Sequence, residues 1–196
     1  MIAIDDSTTI AAAFFEATER YASNSLLAVP ANPSRGYDPA GREITYAEAA
    51  DAVRRLMAQY RAAGYGLGHR VGLFLESRPE HMLHKLALNT LGVCCVPINP
   101  DYRPRELAYV VDHAKVDLIV ALTSRQDAVQ AALAATPSMC AITSPSCAAI
   151  AVAIATDSNT SPPGELMCRC TVFPDADLSA STIICAETPN HASITS

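Results

Sequence analysis

The stretch RVGLFLESRPEHMLHKLALNTLGVCCVPINP, residues 70–100, decides the fold. Its first segment, RVGLFLE (70–76), is apolar on both faces in its middle, which is typical of a strand buried inside a parallel sheet. Ser77 and Glu80 fit a capping box, so a helix is predicted to follow. Residues 93–98 then predict a second buried strand. The stretch therefore indicates one strand–helix–strand unit.

The sequence before this stretch also alternates between strand and helix. Thr45 and Glu48 form a capping box, in which the hydroxyl and the carboxylate each accept a hydrogen bond from the other residue's backbone N–H. Apolar residues at helical spacing follow, and Gly64 can supply a left-handed stop. The elements predicted here are a helix over 8–22, a strand over 25–29, a loop over 32–41 and a helix from Thr45 to Gly64.

The sequence after this stretch continues the same pattern. Pro104 opens a helix, because its fixed φ suits the first helical position. VDLIVAL (116–122) predicts another buried strand, and Ser124 is expected to cap a helix that runs to about residue 135.

Short connections between alternating strands and helices predict an α/β fold, a parallel sheet flanked by helices, over residues 1–136. Right-handed crossovers place the helices against the sheet faces. The residues expected on the inner strands are Leu73, Leu75, Val96 and Ile98. The residues expected on the covering helices are Val53, Leu56, Leu83 and Leu86.

Residues 137–196 differ in amino-acid composition from residues 1–136. Ala, Ser, Thr, Pro and Cys dominate, and after Leu122 only Arg125 and Arg169 are basic. SNTSPPG (158–164) is a linker by composition, while short strands are expected at 171–173 and 181–185. We expect an irregular, partly disordered C-terminal tail whose exposed apolar segments favour self-association.

Composition excludes some classes of protein. The 196 residues are 50% hydrophobic and carry a net charge of −6, with no run of basic residues, which argues against a nucleic-acid surface. Asp5 and Asp6 stand where a signal peptide needs Lys or Arg. The longest apolar run, 147–155, is far short of the roughly 20 residues that span a bilayer. We therefore expect a cytoplasmic chain without a membrane span, whose seven cysteines are thiols.

Gly64, Gly66 and Gly68 are spaced like part of a phosphate-binding loop. Such a loop must follow a strand and open a helix, so that the helix N-terminus meets the phosphate. These glycines follow a predicted helix and lead into a strand. Their position favours a helix stop and a turn.

His81 and His84 lie one helical turn apart and could share a metal. A zinc site needs three or four protein ligands, and the spacing indicates no third. A solvated helix face is the simpler interpretation. Cys168 and Cys170 could lie on one strand face, but two thiols without a second pair are a weak zinc signal.

Cys94 and Cys95 are adjacent on a predicted strand, so their side chains point to opposite faces and are expected to be small core residues. The chain has no G-x-S-x-G elbow and no H-E-x-x-H motif. Glu76 and Glu80 fit a surface acid and a helix cap better than a catalytic pair. No catalytic, cofactor-binding or metal-binding residue is therefore assigned.

Five short blocks together resemble the adenylate-forming (AMP-binding) superfamily of acyl-CoA synthetases, peptide-synthetase adenylation domains and luciferases. They are ITYAE (44–48), RVGL (70–73), SRPE (77–80), LGVCCVPINP (91–100) and RELAY (105–109). The resemblance covers about residues 8–135 and is nearer to fatty-acyl or carnitine-type CoA ligases. Ala49 stands where the family usually has Leu, and Cys94-Cys95 is an unusual centre for the second motif.

The resemblance implies chemistry whose residues are missing here. The family holds ATP on a Thr/Ser/Gly-rich loop ending in Pro-Lys-Gly, and adds a Mg-binding Glu, an Asp for the ribose and a Lys from a C-terminal domain. DLSASTII (177–184) resembles the strand before that loop, but CAETPNH (185–191) follows it. The matching motifs shape helices and strands, so no catalytic residue is carried over.

We therefore expect an N-terminal fragment of an acyl-CoA-synthetase-like, AMP-dependent ligase, cut short or frame-shifted and inactive alone. The family uses ATP, Mg and CoA to activate a small carboxylic acid, whereas no cofactor is expected for this chain. An alternative is a non-catalytic α/β binding or interaction module. A small Rossmann-type oxidoreductase is disfavoured, because the glycine fingerprint is absent.

Overall fold

The computed structural model describes Ile2, residues 4–134 and Thr182–Ile183. The helices are α1 (Ile10–Arg20), α2 (Tyr46–Ala62), α3 (Pro79–Thr90), α4 (Pro104–Ala114) and α5 (Gln126–Ala134). The strands are β1 (Ser25–Val29), β2 (Arg42–Thr45), β3 (Arg70–Phe74), β4 (Cys94–Pro97), β5 (Leu118–Leu122) and β6 (Thr182–Ile183). The strand predicted at 181–185 is present as β6 in its two described residues. The predicted linker, the strand at 171–173 and all other residues of 137–196 lie outside the described part of the chain.

Four of the strands form one sheet in the order β4-β3-β5-β6. Strand β3 pairs in parallel with both β4 and β5, with Arg70 opposite Cys94 and Val71 opposite Leu118. Strand β6 pairs antiparallel with β5. The predicted α/β fold, a parallel sheet flanked by helices, is confirmed.

The two faces of β5 show why a continuous apolar run suits an inner strand. All five residues of the strand are buried. Leu118, Val120 and Leu122 pack into the core that α1, α2 and α3 cover, whereas Ile119 and Ala121 pack into the core beneath α4 and α5. Because successive side chains point to opposite faces, a strand covered on both sides must be apolar throughout.

Gly72 lies on the inner strand β3 and makes close packing possible on one face. A Cβ atom at this position would lie 2.9 Å from Ile98 Cδ1 and 3.2 Å from Val116 Cγ1. The absence of a side chain thus leaves room for Ile98 and Val116 against the sheet.

The capping box predicted for α2 is confirmed. Glu48 Oε2 accepts a 2.8 Å hydrogen bond from the Thr45 backbone N–H, and Thr45 Oγ1 accepts one of 3.3 Å from the Glu48 N–H. At the other end Gly64 has φ +87°, a left-handed conformation that glycine adopts without steric cost. The glycines at 64–68 form the turn between α2 and β3, as predicted.

The capping box predicted for α3 is wrong. Pro79 occupies the first helical position, so the N-cap is Arg78, without a side-chain cap. Ser77 is one residue too early to cap, and Glu80 stands at the second helical position rather than the third. The helix therefore begins where the fixed φ of Pro79 favours it, and not where the Ser-x-x-Glu pattern predicts it to begin.

Strand β4 was expected to be an inner strand but lies at the edge of the described sheet. Cys94 and Pro97 are exposed, whereas Cys95 and Val96 are only half-buried. The prediction that Cys94 and Cys95 are core residues is therefore wrong for Cys94 and half right for Cys95. Both are free thiols, as expected. Ile98, just beyond the strand, is 3% exposed and belongs to the core.

A second small sheet was only half predicted. Strand β1 was expected, whereas β2 was not, because four residues between a loop and a helix show little alternation. The two strands pair antiparallel, from Ser25 opposite Thr45 to Val29 opposite Arg42. This pairing positions the loop 32–41 between them.

Three helix ends differ from the predictions. Helix α1 was expected over 8–22 but runs from Ile10, which is 62% exposed, to Arg20. Its N-cap Thr9 accepts a 3.1 Å hydrogen bond from the Ala12 N–H. Ser124 does not cap α5, because it lies inside a 3-10 turn that precedes the helix.

None of the described helices combines the length and apolar character needed to cross a membrane.

The position of Leu73 predicts a large effect on stability. Leu73 is 0% exposed on the central strand, whereas Leu67 is 86% exposed. We expect Leu73→Ala to lower the free energy of unfolding by about 3 kcal/mol, since it removes apolar contacts and leaves a cavity. Leu67→Ala, the matched control, should change it by less than about 0.5 kcal/mol. Urea unfolding measures both, and equal effects would contradict the burial of β3.

Candidate functional site

The carboxyl ends of β3 and β5 form the natural place for a ligand in this fold. The chain leaves β3 toward α3, whose Leu83 and Leu86 pack on one face of the sheet. It leaves β5 toward α5, whose Val129 and Ala132 pack on the other. Where neighbouring parallel strands send their chains to opposite faces, a crevice opens that doubly wound α/β proteins use to bind ligands.

An ion pair spans this crevice. Glu76 follows β3 and Arg125 follows β5, and Arg125 Nη2 lies 3.2 Å from Glu76 Oε1. Both side chains are about one-third exposed, at 38% and 36%. The predicted surface acid, Glu76, is thus neutralised by a cation from the neighbouring strand.

A second ion pair lies deeper, at the start of α3. Arg78 Nε is 3.3 Å from Glu80 Oε2, and the side chains are only 7% and 1% exposed. The predicted role of Glu80 as a helix cap is wrong, because its carboxylate is buried against Arg78. Its other oxygen, Oε1, has no hydrogen-bond partner among the described residues. A buried charge of this kind depends on its partner.

Tyr37 fastens the loop 32–41 over this ion pair. The Arg78 guanidinium lies 4.1 Å from the centre of the Tyr37 ring, within the range of a cation–π contact. The Tyr37 hydroxyl donates a 3.1 Å hydrogen bond to the Ser77 carbonyl. The loop itself is tied by Arg35, whose guanidinium donates to the carbonyls of Pro30, Tyr37 and Asp38.

The structure places His84 in the core and not on a solvated helix face. Its side chain is 2% exposed, and Nδ1 shares a 2.7 Å hydrogen bond with the Tyr60 hydroxyl. Burial, with a smaller contribution from His81, lowers the pKa of His84 to about 3. Burial raises the pKa of Tyr60 well above its usual range. Two neutral groups therefore satisfy each other inside the apolar core.

His81 lies on the same helix but in different surroundings. It is half-buried, and its Nε2 atom is enclosed without a hydrogen-bond partner among the described residues. Burial and the nearby Lys85 lower its pKa. Within the described part of the chain, no three His, Cys, Asp or Glu residues are arranged to hold a metal. Cys168 and Cys170 lie outside that part.

The polar groups at the carboxyl edge are largely engaged with each other. Two carboxylates face two guanidinium groups in the ion pairs of Glu76 and Glu80. Beyond β4, Asn99 Oδ1 accepts a 3.0 Å hydrogen bond from the Asp101 N–H. No local pattern predicted the cation of Glu76, because Arg125 lies 49 residues away in the chain. Arg78 is only two residues from Glu80, but the predicted capping role of Glu80 concealed this pair. The arrangement supports packing and orientation more directly than proton transfer.

These features define a class of protein: a doubly wound α/β segment with a polar crevice at the carboxyl ends of its central strands. The sequence profile of the AMP-binding enzyme family, described as "AMP-binding enzyme", matches residues 14–177. The match covers most of the chain. The chain belongs to the AMP-binding enzyme family.

Relatives of known name agree with this assignment. A long-chain-fatty-acid–CoA ligase of Thermus thermophilus is 37% identical over 71 residues, which is 36% of this chain and 13% of that protein. 4-Coumarate–CoA ligase 3 of Oryza sativa subsp. japonica is 31% identical over 119 residues, 61% of this chain and 20% of that protein. The chain thus spans about a fifth or less of these relatives.

A solved structure supports the fold. A benzoate CoA ligase from Burkholderia xenovorans LB400 superposes with a TM-score of 0.54 at 22% sequence identity. The superposition covers 64% of this chain and 24% of that one.

The buried ion pair at α3 predicts that removing one partner destabilises the protein more than removing both. Arg78→Met should lower the free energy of unfolding by about 3–5 kcal/mol, since it leaves the Glu80 carboxylate buried without a cation. The double variant Arg78→Met/Glu80→Leu should recover most of that loss. Arg54→Met breaks an exposed pair with Asp51 and should cost less than about 1 kcal/mol. Urea unfolding of all three variants measures these changes. A double variant that is as unstable as Arg78→Met would contradict the burial of an ion pair at this position.

The neutral state of His84 predicts a pH dependence of stability. An unfolded histidine has a pKa of about 6.5, so the unfolded chain takes up a proton below this pH that folded His84 binds only near pH 3. The free energy of unfolding should therefore fall as the pH falls from 7.5 to 5, by about 2 kcal/mol from this residue.

Urea unfolding at the two pH values measures this contribution. Tyr60→Phe/His84→Leu removes both buried polar groups together and should reduce the pH-dependent loss by that amount. His113→Gln replaces an exposed histidine and should leave the loss unchanged. An unaltered pH dependence in the double variant would show that His84 is not buried in the neutral form.

Proposed function

We propose that this chain forms the first α/β part of an AMP-forming ligase that joins a carboxylic acid to CoA. Membership of the AMP-binding enzyme family carries the proposal. Two relatives named as CoA ligases, for a long-chain fatty acid and for 4-coumarate, support the acid–CoA class. Because the chain spans only 13% and 20% of these proteins, the activity belongs to a longer assembly of family elements.

The chain by itself is proposed to be inactive and to need no cofactor. The family reaction uses ATP and Mg, and later CoA, and requires positive charge held at the transferring phosphorus. CAETPNH (185–191) stands where the family's Thr/Ser/Gly-rich loop would follow its strand. At the carboxyl edge Arg78 and Arg125 already face Glu80 and Glu76. These guanidinium groups would have to break ion pairs before they could bind a phosphate.

The described residues are therefore assigned a structural role within the ligase. Strand β3 and its neighbours provide a rigid sheet, and the Tyr37–Arg78 contact holds the loop 32–41 against the start of α3. Rigid elements of this kind keep the remainder of an active site in position.

The same proposal extends to the compartment and the partners. We propose a cytoplasmic chain that binds no nucleic acid, which agrees with its acidic balance. Self-association is proposed through the apolar segments 147–155 and 183–185.

A pyrophosphate-release assay tests the proposal that the chain alone is inactive. The pure chain is incubated with ATP, Mg, CoA and a panel of fatty, aromatic and short carboxylic acids. We expect no release above a heat-treated sample, while an intact acyl-CoA ligase serves as the positive control. Turnover above the heat-treated sample would overturn the proposal. Saturable ATP binding without release would instead favour a non-catalytic binding module.

A further inference from the structure

A groove that shares no residue with the ion pairs of the carboxyl edge lies between β2, α2 and α3. Its volume is about 380 Å³. Three buried apolar residues form its floor: Ile44, Ala52 and Leu83. This volume lies within the range of about 300–1,000 Å³ that is usual for small-molecule sites.

The rim of the groove carries two carboxylates, and both are already engaged. Glu48 Oε2 accepts hydrogen bonds of 2.8 Å from the Thr45 backbone N–H and from the Thr45 hydroxyl. These bonds, with a further contribution from Arg42, lower the pKa of Glu48. Asp51 Oδ1 lies 3.0 Å from Arg54 Nη1. Glu48 is thus stabilised by Thr45 and by the charge of Arg42, and Asp51 is paired with Arg54.

The rim also carries two guanidinium groups, neither of them within ion-pair distance of a described carboxylate. Arg42 and Arg55 line the groove, and neither forms an ion pair or a side-chain hydrogen bond among the described residues. With Arg54 included, three cations stand against two carboxylates. Two guanidinium groups above an apolar floor complement an anion that carries an apolar body, since guanidinium binds carboxylate and phosphate oxygens in a planar, bidentate manner.

We propose that this groove binds a small organic anion, with its carboxylate or phosphate head on Arg42 and Arg55 and its apolar body on Ile44, Ala52 and Leu83. The site is separate from the crevice between β3 and β5. It also stands independently of the ligase proposal, because it uses only contacts within the described residues.

The test uses the full chain and two probes with the same apolar body, hexyl phosphate and hexanoate. Calorimetry should detect saturable binding of at least one, and the stronger probe identifies the preferred head group. Arg42→Gln/Arg55→Gln should weaken that binding about a hundredfold, the effect of losing two charge-assisted contacts that are each worth about a factor of ten. Arg61→Gln, on the same helix but outside the lining of the groove, is the matched control, and it should change the affinity less than twofold.

Two further measurements locate the probe. The methyl resonances of Ala52 and Leu83 should shift on titration, whereas that of Leu107, in the core on the opposite face of the sheet, should not. Inorganic phosphate, which has no apolar body, should bind at least tenfold more weakly than hexyl phosphate. Absence of saturable binding, equal losses in the double variant and in Arg61→Gln, or equal affinity for inorganic phosphate would each overturn the proposal. Circular dichroism confirms that the variants are folded.

Discussion

The parallel pairing of β3 with two neighbours is the constraint on which the rest of the structure depends. Strand β3 lies between β4 and β5, so both of its faces and both of its edges are covered. The chain reaches β4 through α3 on one face and then passes over to β5 through α4 on the other, which divides the apolar residues into two cores. The polar crevice, the buried ion pair of α3 and the position of the loop 32–41 all follow from where β3 ends.

Elements with a strong local pattern could be predicted from the sequence, and elements that depend on distant partners could not. Strand β5 and helix α2 were predicted because apolar runs and a capping box are local signals. The predicted start of α3 was wrong by one residue, because Pro79, and not Ser77, determines where the helix begins. The predicted burial of β4 was wrong, because an apolar run does not show whether a strand lies at the centre or at the edge of a sheet.

The candidate site was harder to predict for a related physical reason. Tyr60 and His84 meet across 24 residues, and Arg125 reaches Glu76 across 49. No spacing within one helix or strand predicts such pairs, which arise only when the sheet assembles. His84 illustrates the point. Its helical spacing from His81 suggested a solvated face, whereas in the structure it is buried against Tyr60 of α2. A polar residue in an amphipathic helix is therefore an ambiguous signal until the opposite helix is known.

The edge position of β4 has a consequence for how this fold behaves at high concentration. The backbone N–H groups of Cys94 and Ile98 donate toward β3, to the carbonyls of His69 and Leu73. Because these groups alternate along a strand, the outward donors belong to Cys95 and to position 97, which is a proline and has none. In the part of the sheet that the structure describes, this edge therefore has one outward donor within β4. Such an edge is a poor template for adding a strand from another molecule, and proline thus protects the parallel sheet against edge-to-edge polymerisation.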